Sequence, residues 1–302
     1  MTETKDFGRG AAWVDGEIVP VEEAKISVLD WGLLHSDATY DVAHVWHGRF
    51  FRLEDHLDRF ERSCAALHLT PPKSRDEIRR IMMACVARSG LTESYVEVLC
   101  TRGRSAPGSR DPRSCSNTLV VFAVPFIWIV PPERQAAGAH AIISRIPRIP
   151  PESVDPTVKN YHWGDLTRGL FEAYARGGDT VILTDLAGNI SEGPGFNVFV
   201  VTDGGVRTPG ATVLEGITRR TVLEMCEALD IPSAVGPVSP GDVHAADEVF
   251  LSSSGGGVLA ITRVDERTYG NGRAGPITQR LADAYWALHE DERYATAVDY
   301  GA

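Results

Sequence analysis

Between Asp155 and Asn197 the chain reads DPTVKNYHWGDLTRGLFEAYARGGDTVILTDLAGNISEGPGFN, and this stretch constrains the fold more than any other. A Pro-containing extended segment ends at Lys159, and an amphipathic run follows. A Gly188-Asn189 turn then separates a strand from the acidic loop Ser191-Glu192-Gly193. One primary amine and one carboxylate therefore sit on neighbouring elements. Lysine alone is a weak signal, because its stem commonly lies over apolar neighbours at the surface. The surrounding pattern has to decide.

Before that stretch the chain reads as strands and two helices. Asp15-Gly16-Glu17 and His47-Gly48 each join two extended runs as hairpin turns. Glu54 to Leu69 carries Leu57, Phe60, Cys64 and Leu67 at helical spacing. Ser74-Arg75-Asp76-Glu77 is a capping box opening a helix that stops at Ser89-Gly90. Tyr95–Cys100 and Thr118–Val124 read as strands joined by a polar loop from Arg102 to Asn117. Pro131 to Gln135 marks a linker. Beyond it, strands at Ile142-Ile143, Val181–Leu183, Val198–Val201 and Val249–Ser252 alternate with helices over 165–176, 218–229 and 277–288. The expected architecture is α+β in two domains: residues 1–130, a linker at 131–139, and a larger domain at 140–302 that carries Lys159.

Composition narrows the function. A net charge of −11 leaves no basic surplus to neutralise phosphates, which argues against a nucleic-acid partner. The longest apolar stretch, Leu119 to Val130, is too short to span a bilayer and contains Pro125, so no membrane partner is expected. Five scattered cysteines without metal-ligand spacing read as reduced core thiols. The N-terminal MTETKDFGRG has no apolar signal region, which points to the cytoplasm. His35, His44, His47 and His56 form no ligand set such as His-Glu-x-x-His, and no catalytic metal is expected.

Four features compete with bland alternatives. Arg59 in Asp55-His56-Leu57-Asp58-Arg59 is either a surface i,i+4 partner of Asp55 or an anion clamp. Gly216-Ile217-Thr218-Arg219 is either an ordinary helix start or a phosphate site at a helix N-terminus. Ser252 to Gly257 is either a common Gly/Ser loop or a phosphate wrap. Glu192, isolated between Ser and Gly, reads by itself as a turn residue in water. Taken together, one amine, one carboxylate and three phosphate-type anchors suit pyridoxal phosphate, which needs an imine-forming lysine, a ring-nitrogen partner and a phosphate cup.

The same residues resemble the fold-type IV pyridoxal-phosphate enzymes. The markers are Arg59 within DHLDRF, Lys159, Asn189-Ile190-Ser191-Glu192-Gly193, Gly216-Ile217-Thr218-Arg219, and Asp247–Phe250 followed by the Ser/Gly loop. The resemblance runs from about Ala12 to about Asp299 and implies a smaller N-terminal α/β domain and a larger C-terminal domain with a mixed, barrel-like sheet. It implies that Lys159 is the covalent anchor and that Glu192 partners the ring nitrogen. Arg59, Ile217, Thr218, Ser253 and Ser254 would hold the phosphate. Within the family, His35-Ser36-Asp37-Ala38-Thr39-Tyr40-Asp41-Val42, Tyr95-Val96-Glu97-Val98 and Lys159–Asp165 are similar to the (R)-selective amine transaminases. Branched-chain enzymes tend to place an arginine in the strand where Tyr95-Val96-Glu97-Val98 stands. His35, Tyr40, Val42, Tyr95, Glu97, Trp163 and Gly195 would line the substrate pocket, and Arg104 or Arg110 would bind the keto acid. The implied reaction is ping-pong transfer from an (R)-configured amine to a keto acid such as pyruvate, by a homodimer. A D-amino-acid or branched-chain aminotransferase of the same fold is the alternative.

Overall fold

The computed structural model describes residues 7–301. Positions 1–6, part of the segment read for a leader, lie outside the described residues, as does Ala302. The chain divides into two compact units: one holds the described residues through Ile127 with 158–161 and 289–301, the other 128–157 with 162–288. Lys159, expected in the C-terminal domain, thus belongs to the first unit.

The first unit contains β1 (Ala11–Val14), β2 (Glu17–Pro20), α1 (Trp31–His35), β3 (Ala38–Trp46), β4 (Arg49–Phe51), α2 (Leu53–Ala66), α3 (Arg75–Ser89), β5 (Ser94–Arg104) and β6 (Ser116–Pro125). Both expected hairpins form, with Val14 opposite Glu17 and Trp46 opposite Arg49. The capping box at Ser74 and Glu77 also forms, and α3 ends at Gly90. The strand read from Tyr95 to Cys100 runs on to Arg104, so the loop that follows is shorter than expected.

Side-chain alternation gives this sheet two different faces. Ala43, Val45, Val96, Val98 and Cys100 join Leu57 and Phe60 of α2 and Ile78, Met82 and Val86 of α3 in one apolar core. The opposite register positions, Tyr40 across from Leu99, Val42 across from Glu97 and His44 across from Tyr95, face the other way. Of β3, strand β4 pairs only with Val45 and Trp46, which leaves the first half of β3 open on that edge. The segment Val158–Tyr161 takes it. Thr39 lies opposite Asn160, and the Thr39 hydroxyl and the Tyr40 N–H both donate to the Lys159 carbonyl, at 2.6 and 3.4 Å.

The second unit contains α4 (Pro132–Ala137), β7 (Ala139–Ile143), α5 (Gly164–Ala175), β8 (Thr180–Ile182), β9 (Glu192–Gly193), β10 (Phe196–Thr202), β11 (Gly205–Thr208), α6 (Ile217–Ala228), β12 (Ser233–Val235), α7 (Pro240–Ala245), β13 (Glu248–Ser253), β14 (Gly257–Val264), β15 (Arg267–Thr268) and α8 (Pro276–Ala287). Residues 131–139, read as a linker, hold α4 and the first residue of β7. The nine-stranded sheet runs β12-β11-β10-β13-β14-β7-β8, with β9 on β10 and β15 on β14. Pairs β7–β8, β7–β14 and β11–β12 are parallel and the rest antiparallel, which makes the sheet mixed as expected. Val198, Val200, Val249, Leu251, Leu259 and Ile261 pack one core, while Leu166 and Ala173 of α5 close a second over Ile142 and Val181. The last strand, β16 (Ala295–Ala297), pairs with β4 and completes the first sheet to seven strands, ordered β16-β4-β3-β5-β6-β1-β2.

Candidate active site

The first unit gathers several of the expected residues on the sheet face away from α2 and α3. Lys159 and Tyr161 are two apart in an extended segment and share a side. The Tyr161 ring stacks on Tyr40 with 4.3 Å between centroids, and the Lys159 ammonium lies 4.3 Å from the centre of the Tyr40 ring. Glu97 is buried beside them. Its Oε2 accepts from the Tyr95 hydroxyl at 3.0 Å and its Oε1 accepts from the Tyr161 hydroxyl. Burial pushes the Glu97 carboxyl above its ordinary range, and the bonds from Tyr161 and Tyr95 and the charge of Lys159 only partly offset it. Val42, buried, stands opposite Glu97.

Arg59 pairs with Asp41 of β3. Its Nε and Nη2 donate to Asp41 Oδ2 and Oδ1 at 2.7 and 2.8 Å, and His56 Nδ1 sits 2.7 Å from Oδ1. Burial alone would raise the Asp41 carboxyl, but Arg59 and then His56 outweigh it and hold it far below the usual carboxylate range. Arg59 is buried rather than on a solvated helix face, and Asp55 accepts from Arg52 at 2.5 Å.

In the second unit Glu192 occupies a two-residue strand opposite Asn197, and it is buried rather than a turn residue in water. Its Oε1 accepts from Arg148 Nε and Nη2 at 3.2 and 3.0 Å, and its Oε2 from the Leu214 N–H at 2.9 Å. Arg148 also donates Nη1 to Asp165 at 2.7 Å. Burial pulls the Arg148 guanidinium down, but the Glu192 charge and then the Asp165 bond more than restore it. The Asn197 amide donates to the Leu214 carbonyl at 2.9 Å, which fastens the chain segment that serves Glu192.

That segment leads into α6, whose first turn includes Ile217 and Thr218, both buried. It has neither a side-chain cap nor an acidic residue. A Cβ at its N-cap, Gly216, would stand 2.2 Å from the Asn197 Oδ1, so only glycine lets the helix start that close to β10. A helix start with no side-chain cap and no acidic residue in its first turn fits an anion, with Glu215 just before the N-cap the nearest acidic residue in sequence. The Ser253 hydroxyl donates to the Gly195 carbonyl at 2.8 Å and accepts from the Gly255 N–H at 3.0 Å, while Ser254 is half-buried. Gly195 has φ +79° and lies near half-buried Trp163, 3.8 Å from where its Cβ would be.

His35, Arg104 and Arg110 are exposed. His35 packs edge-on against Trp31 at 4.7 Å, at the end of α1. Arg148, Tyr161, Asp41, Asp165 and Asn197 were not singled out from the sequence. A lone arginine in Ile146-Pro147-Arg148-Ile149-Pro150, fixed in extended form by two prolines, was the available signal for Arg148. Among the described residues no group of His, Cys, Asp or Glu could hold a metal, and no helix is long and apolar enough to cross a membrane.

The donor set fits pyridoxal phosphate on chemical grounds. Lys159 supplies a primary amine, Glu192 a buried carboxyl able to accept from a protonated ring nitrogen, and α6 a helix N-terminus without a side-chain cap. The family model for class IV amino-transferases matches residues 38–264. A putative branched-chain-amino-acid aminotransferase of Methanocaldococcus jannaschii is 29% identical over 276 residues, covering 90% of this chain and 94% of that protein. A branched-chain amino acid aminotransferase from T.th., complexed with N-(5'-phosphopyridoxyl)-L-glutamate, superposes with a TM-score of 0.89 at 28% identity, covering 96% of this chain and 99% of the other. The Escherichia coli branched-chain enzyme gives a TM-score of 0.90 at 26% identity, covering 96% and 100%. The chain belongs to the class IV amino-transferases and is a pyridoxal-phosphate-dependent aminotransferase.

Proposed function

We propose that the protein moves an amino group from an (R)-configured primary amine lacking a carboxylate to a keto acid such as pyruvate. The observation that carries this reading is Glu97. It is a buried carboxyl on the same sheet face as Lys159, Tyr40 and Val42, and a substrate carboxylate brought to that face would meet a like charge. An arginine there would do the opposite.

In this reading Lys159 carries the cofactor, Glu192 and Arg148 serve its ring nitrogen, and Arg59, Ile217, Thr218, Ser253 and Ser254 serve its phosphate. The bound cofactor supplies an electron sink conjugated to the substrate Cα. Lys159 Nζ takes the proton from that Cα and gives it back on the other side of the transfer, as base and then acid. Glu192 holds the proton on the ring nitrogen, and Arg148, donating to Glu192 Oε1, fixes that carboxylate in place. Tyr40, Val42, Tyr95 and Trp163 bound the amine's substituents, and Arg104 or Arg110 receives the keto acid's carboxylate. The side chains of Val28, Leu29 and Leu33, exposed by 73, 63 and 59%, support a homodimer that covers them. Five free cysteines agree with a reducing compartment such as the cytoplasm.

The names of the relatives favour a second reading, a branched-chain aminotransferase, and a D-amino-acid enzyme of the same fold is the third. Turnover of an (R)-aryl-alkyl amine, L-leucine and D-alanine, each with a suitable keto acid, separates them. Preference for the (R)-amine is expected, and faster turnover of leucine or D-alanine would overturn the proposal.

A further inference from the structure

Around buried Glu97, half-buried Tyr95 and Tyr161 form a hydrogen-bonded cluster to which the proton transfers above give no part. Strand β5 puts Tyr95 and Glu97 on one side, two residues apart. The 158–161 segment brings Tyr161 to the same carboxyl, so two phenols donate to its two oxygens. Tyr161 is also the ring on which Tyr40 stacks, and Tyr40 is the ring under the Lys159 ammonium. The contacts make an unbroken series from Glu97 through Tyr161 and Tyr40 to Lys159. The main chain ties the far end, since Thr39 and Tyr40 both bond the Lys159 carbonyl.

We propose that Glu97 is a positioning residue for Lys159, holding the Tyr161–Tyr40 stack in place so that the amine is presented in one orientation to the cofactor. This rests on the reading of Lys159 as the covalent anchor and adds to Glu97's part in substrate choice. The groups that face Glu97 are Tyr95 on its own strand, Tyr161 and Lys159 on the 158–161 segment, and Asp41 on β3; its neighbour on β6 is the apolar Phe122. Only the ionised carboxylate offers an acceptor to both phenols at full strength. The clamp therefore tightens as Glu97 loses its proton, which burial delays beyond the ordinary carboxyl range. Glutamine keeps the shape but has one carbonyl oxygen, so one tyrosine loses its acceptor.

The test uses the full chain stripped of cofactor, with pyridoxal phosphate as the probe. Growth of the visible band gives the rate of capture, and borohydride reduction followed by peptide mass mapping locates the modified lysine. In the wild type the label is expected on Lys159, with a rate that rises with pH as Glu97 ionises, beyond the rise that imine formation gives any amine. Glu97→Gln is expected to capture about tenfold more slowly, the loss typical of a hydrogen bond to a charged group, and without that added rise. Tyr161→Phe, which keeps the ring and removes the hydroxyl, is expected to slow capture less; it also serves should Glu97→Gln fail to fold. Label on another lysine would sink the anchor reading itself. Label on Lys159 at the wild-type rate and pH dependence in both variants would sink the positioning role alone, and so would an unslowed Tyr161→Phe beside a slowed Glu97→Gln.

Discussion

Glu97 in the first unit and Glu192 in the second are both buried carboxyls, yet the chain treats them oppositely. Glu97 is surrounded by phenol hydroxyls, neutral donors that offset only part of the cost of burial, and its proton affinity rises. Glu192 is clamped by the Arg148 guanidinium and a backbone N–H, so its charge is compensated. The lesson is that a carboxyl's work is set by what donates to it. A carboxylate that must hold a ring proton needs a fixed cation behind it. One that only holds tyrosines in place and keeps anions off a face does not.

The comparison breaks first at the amine. Lys159→Ala removes the group that both surroundings serve in the proposed mechanism, and kcat is expected to fall by at least about 10⁴-fold, the upper range for one proton-transfer residue. The visible band of bound cofactor should vanish with it. A Lys159→Ala enzyme that still turns over would show that the residues around Glu97 and Glu192 share no chemistry.

The next largest effect separates the two carboxyls. Glu192→Gln keeps the Leu214 contact but removes the charge, and kcat is expected to drop about 10²- to 10³-fold, as when one preorganised polar contact is removed. Cofactor content should survive. Arg148→Met should do the same through a different route, leaving Glu192 and Asp165 buried without their cation at a stability cost of roughly 3–5 kcal/mol. Urea unfolding of the full chain measures that cost. An Arg148→Met enzyme with wild-type kcat would show that Glu192 needs no cation behind it, which removes the contrast with Glu97.

How much of this the sequence disclosed depends on range. The hairpin turns, the Ser74 capping box and the long helices follow from local chemistry, and the structure has them within a few residues of where periodicity puts them. Strand β14 follows the Gly/Ser loop directly and was hidden by it. Lys159's place in the first unit depends on β4 being only three residues long, which opens an edge of β3 to a segment more than a hundred positions away. Nothing local announces such a pairing. The same holds for the Arg148–Glu192 pair and for Tyr161 on Glu97, where each side chain is ordinary until its partner arrives.

A third buried carboxyl, Asp41, sharpens the comparison through pH. Its proton affinity is depressed, so its contribution to stability is present above the ordinary carboxyl range and fades as pH falls through that range toward its own lowered value. Asp41→Asn is expected to destabilise the protein by about 3 kcal/mol near neutrality, because Arg59 and His56 lose a charged partner. The gap to wild type should narrow on acidification. A gap that stays constant to low pH would mean that packing, not charge, holds this cluster.

The smallest expected effect tests the backbone next to the second carboxyl. Gly195 follows β9 with φ +79°, and a Cβ there would meet Ile129 and Trp163 at 3.6 and 3.8 Å, ordinary contact distances. Space is therefore not the reason for glycine; conformation is. Gly195→Ala should cost about 1–2 kcal/mol from the left-handed backbone alone, and Gly195→Asn should cost less, because asparagine enters that region more readily. If alanine and asparagine cost the same, the added atoms beside Trp163 rather than the turn would be setting the penalty. The residue would then belong to the pocket wall more than to the hinge between Glu192 and β10.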